Sequence, residues 1–464
     1  MRVGVIGGGV AGLTIADELA RSGHEVAVFE KWGQLGGAVY TFRIADTRLE
    51  CFYHHLFAGD RYAVDLLDDL GLSDRLRWYD SKVGFFNNGH IYPFVTPGDL
   101  LRFTPLPLLD RIRLGLVGLY LRRRADYQRY EDVTARDWIR RYAGERIYNT
   151  VWGPLLNGKF GDQAPNVGMV WFWGKIFVRF ASRAGLRQRE KLGYIHGGFS
   201  TMTDALAERI RAHGGTLHVG QPVQRILVED ARVVGLEVKR VRGSLREEED
   251  EASSNSGPTE RHLFDAVVCT APSYELARMA PEITGDYAER LSSVHYQAAV
   301  VMVLVLKRSL SPIYWMNMSD PEMPFVAAIE HTNFIPPEEY GGRHILYLSN
   351  YVAQDDPLVR MRPDEVLARF VPALQRINPE FDPSWVERRY LFKDEAAQPI
   401  VTPGYGRRIL DHRTPIVGLY LANTSQIYPE DRGSNYSIRL GQTAARLVLE
   451  DTARLRSTTP APSR

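Results

Sequence analysis

Cysteine is nearly missing from this chain: two in 464 residues, Cys51 and Cys269. That is too few for a disulfide framework or a cysteine-rich metal site, and a reducing, cytoplasmic setting is the expectation. No charge of one sign dominates. Lys plus Arg number 57 against 56 Asp plus Glu, so nothing calls for a nucleic-acid partner. No uninterrupted apolar run reaches roughly 18 residues, which argues against a spanning helix. Only Met1 and Arg2 precede the apolar residues from Val3 on, so no leader is expected. No internal repeat is visible. No His, Asp and Glu grouping has metal-ligand spacing, and no metal is expected. Ser200 is not on a nucleophile elbow, since no strand, G-x-S-x-G and helix surround it.

Glycine, by contrast, is plentiful at 40 residues, and three glycines stand in one informative place. Residues 3–6 read as a short apolar strand, 11–22 as a helix, and 25–30 as a second strand. Between the first strand and the helix lie Gly7, Gly9 and Gly12, spaced G-x-G-x-x-G. The first permits a tight turn, the second lets backbone approach a pyrophosphate, and the third lets helix and strand pack closely. The helix start, at Val10 and Ala11, then faces the diphosphate with free N–H groups. Glu30 ends the second strand, where a carboxylate accepts from ribose hydroxyls. A dinucleotide is the expected ligand.

Farther on, residues 60–189 read as mainly helical, with helices near 62–70, 108–124 and 134–142. A second α/β segment opens near Gly197: helix 202–213, strand 216–219, then strands 223–228 and 232–238. The acidic run 247–251 and the polar stretch 252–258 read as a solvated hairpin loop. Strands follow at 264–270, 297–306, 344–351 and 419–422, then a helix at 437–450. The Ser/Thr/Pro-rich end, 454–464, reads as disordered.

Several of these segments resemble a known family. Glu30 and Lys31, followed by Leu35, Gly36, Gly37 and Ala38, are similar to the extended dinucleotide motif of the flavoprotein superfamily of amine oxidases, protoporphyrinogen oxidases and carotenoid-type desaturases. That superfamily usually has arginine where Ala38 stands. Gly197 to Ser200 with Leu206 and Ile210 resemble its middle motif, and Val223 stands where its chain meets the adenine. Residues 265–268 with Ala271 and Pro272 resemble the strand returning to the nucleotide. Residues 418–423 with Gly433, Gly441, Ala444 and Ala445 resemble its C-terminal flavin motif, with Asn423 where an acid is common. Residues 53–57, 154–161, 192–194 and 428–433 are similar to the protoporphyrinogen-oxidase-like subgroup.

The resemblance implies non-covalent FAD and an α/β fold: a Rossmann-like FAD-binding domain of the glutathione-reductase and amine-oxidase type, beside an α+β substrate domain. The FAD domain would be assembled from residues 1–60, 196–272 and 400–450. The substrate domain would come from 61–195 and 273–399, leaving 451–464 as a tail. The implied activity is FAD-dependent removal of a hydride from a small organic substrate at a CH–NH or CH–CH bond. FAD contacts would come from the glycine turns, Glu30, Lys31, Val223, Asn423, Arg432 and Gly433. His54 and His55 fall where the family's chain passes the flavin ring. As candidate catalytic groups they compete with a reading as hydrogen-bonded structural histidines. Lys159, between Gly158 and Phe160, is either a ligand-approaching group or half of an ion pair; Arg432 is either near the flavin pyrimidine or in a loop salt bridge. A reduced-flavin nucleotide-sugar mutase, with Arg179, Arg183 and Arg407 as a phosphate-binding set, is the alternative enzyme; a non-catalytic FAD protein is a second. Trp171, Phe172, Trp173, Ile176, Phe177 and Phe180 alternate with Lys175, Arg179, Arg183 and Arg187, and residues 112–117 lead to Arg122, Arg123 and Arg124. Such a pattern suits a peripheral membrane contact or a core-facing stripe with a solvated basic face.

Overall fold

The structure is a computed structural model that describes residues 1–181, 190–239 and 258–458. The opening residues fold as strand Arg2–Ile6, helix Val10–Arg21 and strand Glu25–Phe29. Alternation along the first strand feeds two cores. Val3 and Val5 pack with the helices on one face; Ile6 joins the opposite core with Phe29 and Cys269. Gly4 also points to that second face, where an added Cβ would lie 2.9 Å from Phe264. The parallel sheet has five strands in the order Thr216–His218, Glu25–Phe29, Arg2–Ile6, Ala266–Cys269, Leu419–Leu421. Helix Ser200–Ala212 and the long helix Ser434–Thr458 cover the Val3 face with Val10–Arg21. Arg209 clamps Asp17 with one guanidinium edge, Nε and Nη2 donating at 2.7 and 2.6 Å. A three-stranded antiparallel sheet covers the other face: Val223–Glu229, Arg232–Lys239 and Thr259–Leu263. Lys239 pairs with Thr259 across it. The expected loop at 247–258 falls outside the described residues except for Pro258.

A second sheet carries seven strands in the order Val386–Pro399, Tyr296–Leu306, His344–Val352, Ala327–Glu330, Trp315–Met318, Val83–Asn87, His90–Pro93. Tyr296–Leu306 is buried along all 11 residues, as an unbroken apolar run should be when both faces are covered. Helices between 97 and 181 form a core of their own around Phe103, Ile139, Phe160 and Val170, which Phe85 of this sheet joins.

Two expectations need correction. The region read as mainly helical contains strands Leu76–Asp80, Val83–Asn87 and His90–Pro93. Asn88 and Gly89, with φ of 47° and 77°, form the two-residue turn that left-handed conformers favour in hairpins. The partner of Val83–Asn87 on its other side is Trp315–Met318, far away in sequence. The chain end is the second correction: the last helix runs to Thr458, so 454–458 are helical, and 459–464 lie outside the described residues. Of the two readings of the aromatic stripe, its first residues follow the core-facing one. Trp171, Phe172 and Trp173 are buried in the helical core, and Trp173 Nε1 donates to Arg124 O at 2.7 Å. The side chains of Arg179 and Phe180, and residues Arg183 and Arg187, lie outside the described set.

Candidate cofactor and substrate site

At the carboxyl edge of the parallel sheet the chain turns sharply after Ile6. Gly7 adopts φ +102°, and its N–H donates to Phe29 O at 2.8 Å. A Cβ on Gly12 would lie 2.0 Å from Gly7 O, so only glycine lets helix and turn close on each other. The first turn of the helix, Val10, Ala11 and Gly12, then presents N–H groups that no intrahelical carbonyl takes. Glu30 is fixed at the end of its strand: one oxygen accepts Gly8 N–H at 2.7 Å and the other accepts Trp32 N–H at 2.9 Å. The second glycine pair interlocks with the first. Gly36 N–H donates to Gly8 O at 2.8 Å, and a Cβ on Gly37 would lie 2.9 Å from Gly9 Cα. Ala38 sits exposed in the short helix Gly37–Val39. Lys31 is also exposed, its ammonium 5.0 Å from the Trp32 ring centroid. Gly220 and Gln221 N–H groups donate to Trp32 O and Glu30 O at 2.7 and 2.9 Å, bringing buried Val223 beside this strand end.

The C-terminal residues arrive at the same edge. A Cβ on Gly441 would lie 2.8 Å from Ala11 O, so the long helix crosses Val10–Arg21 in close contact near its start. Gly433 immediately precedes that long helix. Asn423 spends its side chain inside the protein: Oδ1 accepts from Ser425 N–H and Oγ at 3.0 and 2.6 Å, and Nδ2 donates to Ala271 O and Ser273 Oγ at 2.9 and 3.2 Å. Arg432 Nη2 donates to Tyr351 OH at 2.9 Å, while its buried Nε has no hydrogen-bond partner among the described residues. A cradle in which Gly7, Gly12 and Gly37 leave no space for a Cβ, together with free helix-start N–H groups, fits a dinucleotide that starts at Glu30.

Around Arg432 the sequence candidates assemble unevenly. His54 Nδ1–H donates to Phe52 O at 2.6 Å, which leaves Nε2 as the acceptor. Burial pushes this imidazole down to about 4; the hydrogen bond to Phe52 opposes that, and the Arg432 charge adds to it. His55 turns elsewhere: its Nδ1 meets Tyr314 OH at 3.0 Å and its ring packs edge-on against Phe57 and Trp315. Lys159 bonds Asp431 Oδ2 at 3.1 Å, so its ion pair is present, and its ammonium also lies 5.1 Å from the Trp171 and Tyr351 rings. Arg407 pairs with Asp132 at the surface; the Arg179 side chain and Arg183, the rest of the expected phosphate-binding set, lie outside the described residues.

Two groups here escaped the sequence reading. Asp431 is a hub: Oδ2 takes Lys159 and Lys175, and Oδ1 takes Trp171 Nε1 and Gln398 Nε2, both at 3.0 Å. Burial alone would raise its pKa, but Lys159, Lys175 and Arg432 hold it well below the carboxylate range. Gly174 enables this meeting, since a Cβ there would lie 2.9 Å from Pro429 O. Glu50 is the second. It is wholly buried behind His54, accepting Phe199 N–H at 2.6 Å and Tyr194 OH at 2.9 Å, and burial pushes it up to about 7. Phe199 in turn packs on the His54 ring. A glutamate in the run Arg48, Leu49, Glu50, Cys51 gives no sign that it will lie inside.

A Rossmann-type sheet with paired glycine turns, joined to a mixed-sheet substrate domain, defines the class: a dinucleotide-binding flavoprotein oxidoreductase. The chain belongs to the flavin-containing amine oxidoreductases, whose family model matches residues 10–449. It is 22% identical to the 15-cis-phytoene desaturase of Synechococcus elongatus, covering 91% of this chain and 90% of that one. It is 25% identical to a flavin-dependent L-tryptophan oxidase of Lentzea aerocolonigenes, over 76% of each. An oxidoreductase structure from Methanosarcina mazei superposes with TM-score 0.70 at 20% identity, covering 97% of this chain and 100% of that one. The protein is thus an FAD-dependent oxidoreductase with the expected fold class. Both cysteines are buried, and burial pushes the Cys269 thiol up to about 12, which fits flavin held without a thioether.

Proposed function

We propose that substrate binds in the space bounded by Tyr53, His54, Lys159, Tyr351 and Arg432, and that a CH–NH or CH–CH bond is oxidised there. The observation that carries this reading is the buried Nε of Arg432, which has no hydrogen-bond partner among the described residues. FAD, when bound, supplies the hydride acceptor. The chain's own part is placement and exclusion of water. Tyr53 is held by Ser349 Oγ at 3.1 Å and by an edge contact with Trp315, a rigid wall for a flat substrate. His54, neutral at ordinary pH, offers Nε2 as an acceptor, and Arg432 offers a donor. Beyond Tyr351 and Gly158 a cavity of about 510 Å³ reaches Met318, Phe325 and Arg369 and provides room for the rest of a substrate. The L-tryptophan oxidase relative supports an amine-bearing substrate and the phytoene desaturase relative a hydrocarbon one. Anaerobic mixing of the holoenzyme with amino acids, polyamines and polyenes, followed by the bleaching of flavin absorption, tests the reading. Reduction by one class that is slowed in both Tyr53→Phe and His54→Ala supports it; undiminished reduction in both variants rejects the placement.

We further propose that the protein rests on an anionic membrane through helix Leu108–Arg123. Among the described residues no helix is long and apolar enough to cross a membrane. This helix nonetheless exposes Leu108, Leu109, Ile112, Leu116 and Tyr120 along one stripe, continued by Leu101, with Leu109 80% exposed. Arg102, Arg113, Arg123 and Arg124 are exposed around it, a charge that complements acidic headgroups. Co-sedimentation with phosphatidylglycerol vesicles, lost in Leu109→Glu/Leu116→Glu and absent with phosphatidylcholine alone, is the expected result. No sedimentation with either vesicle removes the proposal.

A further inference from the structure

The Asp431 cluster holds more cation than its carboxylate can answer. Three cations, Lys159, Lys175 and Arg432, meet one carboxylate whose two oxygens are already filled by four donors. Each lysine keeps donors that Asp431 does not take, because an ammonium has three. Arg432 keeps its orphaned Nε. The neighbouring acids do not close the gap. Glu430 is held by both terminal nitrogens of Arg439, at 2.8 and 2.7 Å. Asp394 also lies in the field of Arg432, and with it counted these three cations still exceed the two acids by one. The Lys159 and Asp431 side chains are only 15% and 9% exposed, so water screens the inner part of this cluster poorly, while Lys175 reaches toward solvent. A buried cation left without an answering charge is unfavourable, and a ligand that supplies the charge removes that penalty.

The walls narrow the ligand further. Trp171 and Tyr351 flank Lys159, Tyr351 also faces Arg432, and Tyr53 with Trp315 stands across the same space. Flat aromatic faces around a cationic pocket suit an unsaturated or aromatic body that ends in an anion. A hydrocarbon would leave the orphaned Arg432 Nε and the spare ammonium donors of Lys159 and Lys175 unanswered.

We propose that the substrate carries an anionic group, a carboxylate or a phosphate, and that this group seats on Lys159, Lys175 and Arg432. The inference rests on the placement of substrate beside Arg432 given above. Lys175 is the residue to change first, because its side chain is 42% exposed and its loss leaves Lys159 to balance Asp431. The test titrates the FAD-loaded protein with indole-3-acetate and with the neutral indole-3-acetamide, using calorimetry and the flavin absorption spectrum together. The acid should bind at least about tenfold more tightly than the amide, a discrimination well within what a paired charge provides. Lys175→Met should erase that preference, leave the amide's affinity as it was, and be rescued by Lys175→Arg. Equal affinity for acid and amide, or an unchanged preference in Lys175→Met, overturns the proposal. Inorganic phosphate that displaces the acid assigns the group to a phosphate-bearing substrate; phosphate that fails to compete assigns it to a carboxylate. Acid binding that depends on Lys175 but leaves the flavin spectrum unmoved keeps the anion site and rejects its placement beside the ring.

Discussion

Replacing Glu50 by glutamine should alter how stability depends on pH, in a direction that burial dictates. Glu50 is 0% exposed, and its carboxyl is raised from 4.5 to about 7. A carboxyl with a raised native pKa binds its proton more tightly in the folded state. Its contribution is therefore fully present below pH 4.5 and is lost as pH climbs through 7. The span from 4.5 to about 7, at about 1.4 kcal/mol per pH unit, comes to about 3.5 kcal/mol, of which about 2.5 kcal/mol is lost between pH 5 and 8. For a chain of this length that corresponds to a fall in Tm of roughly 3 °C between pH 5 and 8. Glutamine keeps an acceptor for Phe199 N–H and offers Tyr194 OH a neutral partner, so Glu50→Gln should hold a flatter curve and exceed the parent at pH 8. Scanning fluorimetry of both holoproteins from pH 5 to 8.5 measures this, each with excess FAD so that cofactor loss does not enter. Parallel curves for the two proteins would show that Glu50 is ionised in the native state and that the argument from burial is wrong.

The two glycines of the first turn should fail differently. Gly9→Ala has room in the bare fold, its Cβ meeting only Gly37 at 3.6 Å, and should fold yet lose most FAD on gel filtration; Gly12→Ala, 2.0 Å from Gly7 O, should be insoluble or strongly destabilised. Asp431→Ala leaves Lys159 and Lys175 without their carboxylate and should lower stability by about 3 kcal/mol in urea denaturation, whereas wild-type stability would mean that water reaches the cluster freely. His54→Ala should slow substrate reduction of the flavin by about tenfold, the kinetic equivalent of one lost hydrogen bond, with FAD retained. His55→Ala should instead lower Tm, because its ring packs on Tyr314, Phe57 and Trp315; the reverse pattern in stopped-flow and melting would exchange their roles.

What could be read from sequence was local. Gly7, Gly9, Gly12 and Glu30 declare themselves because turn, helix start and strand end lie within 30 residues and each demands a particular residue type. Strand 296–306 is legible for a similar reason, as its apolar run needs no partner to be recognised. Val83–Asn87 is not, because one neighbouring strand is supplied by residues 315–318 and its own five residues carry no period. The site divides along the same line. Lys159 and Arg432 stand out beside glycines. Their shared partner Asp431, and the approach of Lys175 past Gly174, depend on helix Met169–Ala181 docking against a turn more than 250 residues later, which no spacing encodes. Glu50 is hidden most completely: only the distant Tyr194 and Phe199 show that a carboxyl belongs inside.

The order of strands in the parallel sheet also governs how the protein can be made. Its centre, Arg2–Ile6, leaves the ribosome first, but its neighbour Ala266–Cys269 and the edge Leu419–Leu421 leave far later. The first strand must wait through more than half of synthesis with one side unpaired, a condition that invites chaperone binding and premature pairing. The long helix that crosses the start of Val10–Arg21 arrives last of all. A chain cut short anywhere before residue 419 lacks a strand of the cradle sheet, and one cut before 434 lacks the helix as well. Cofactor retention should therefore depend on strand Leu419–Leu421 and helix Ser434–Thr458 as much as on the glycines of the first turn.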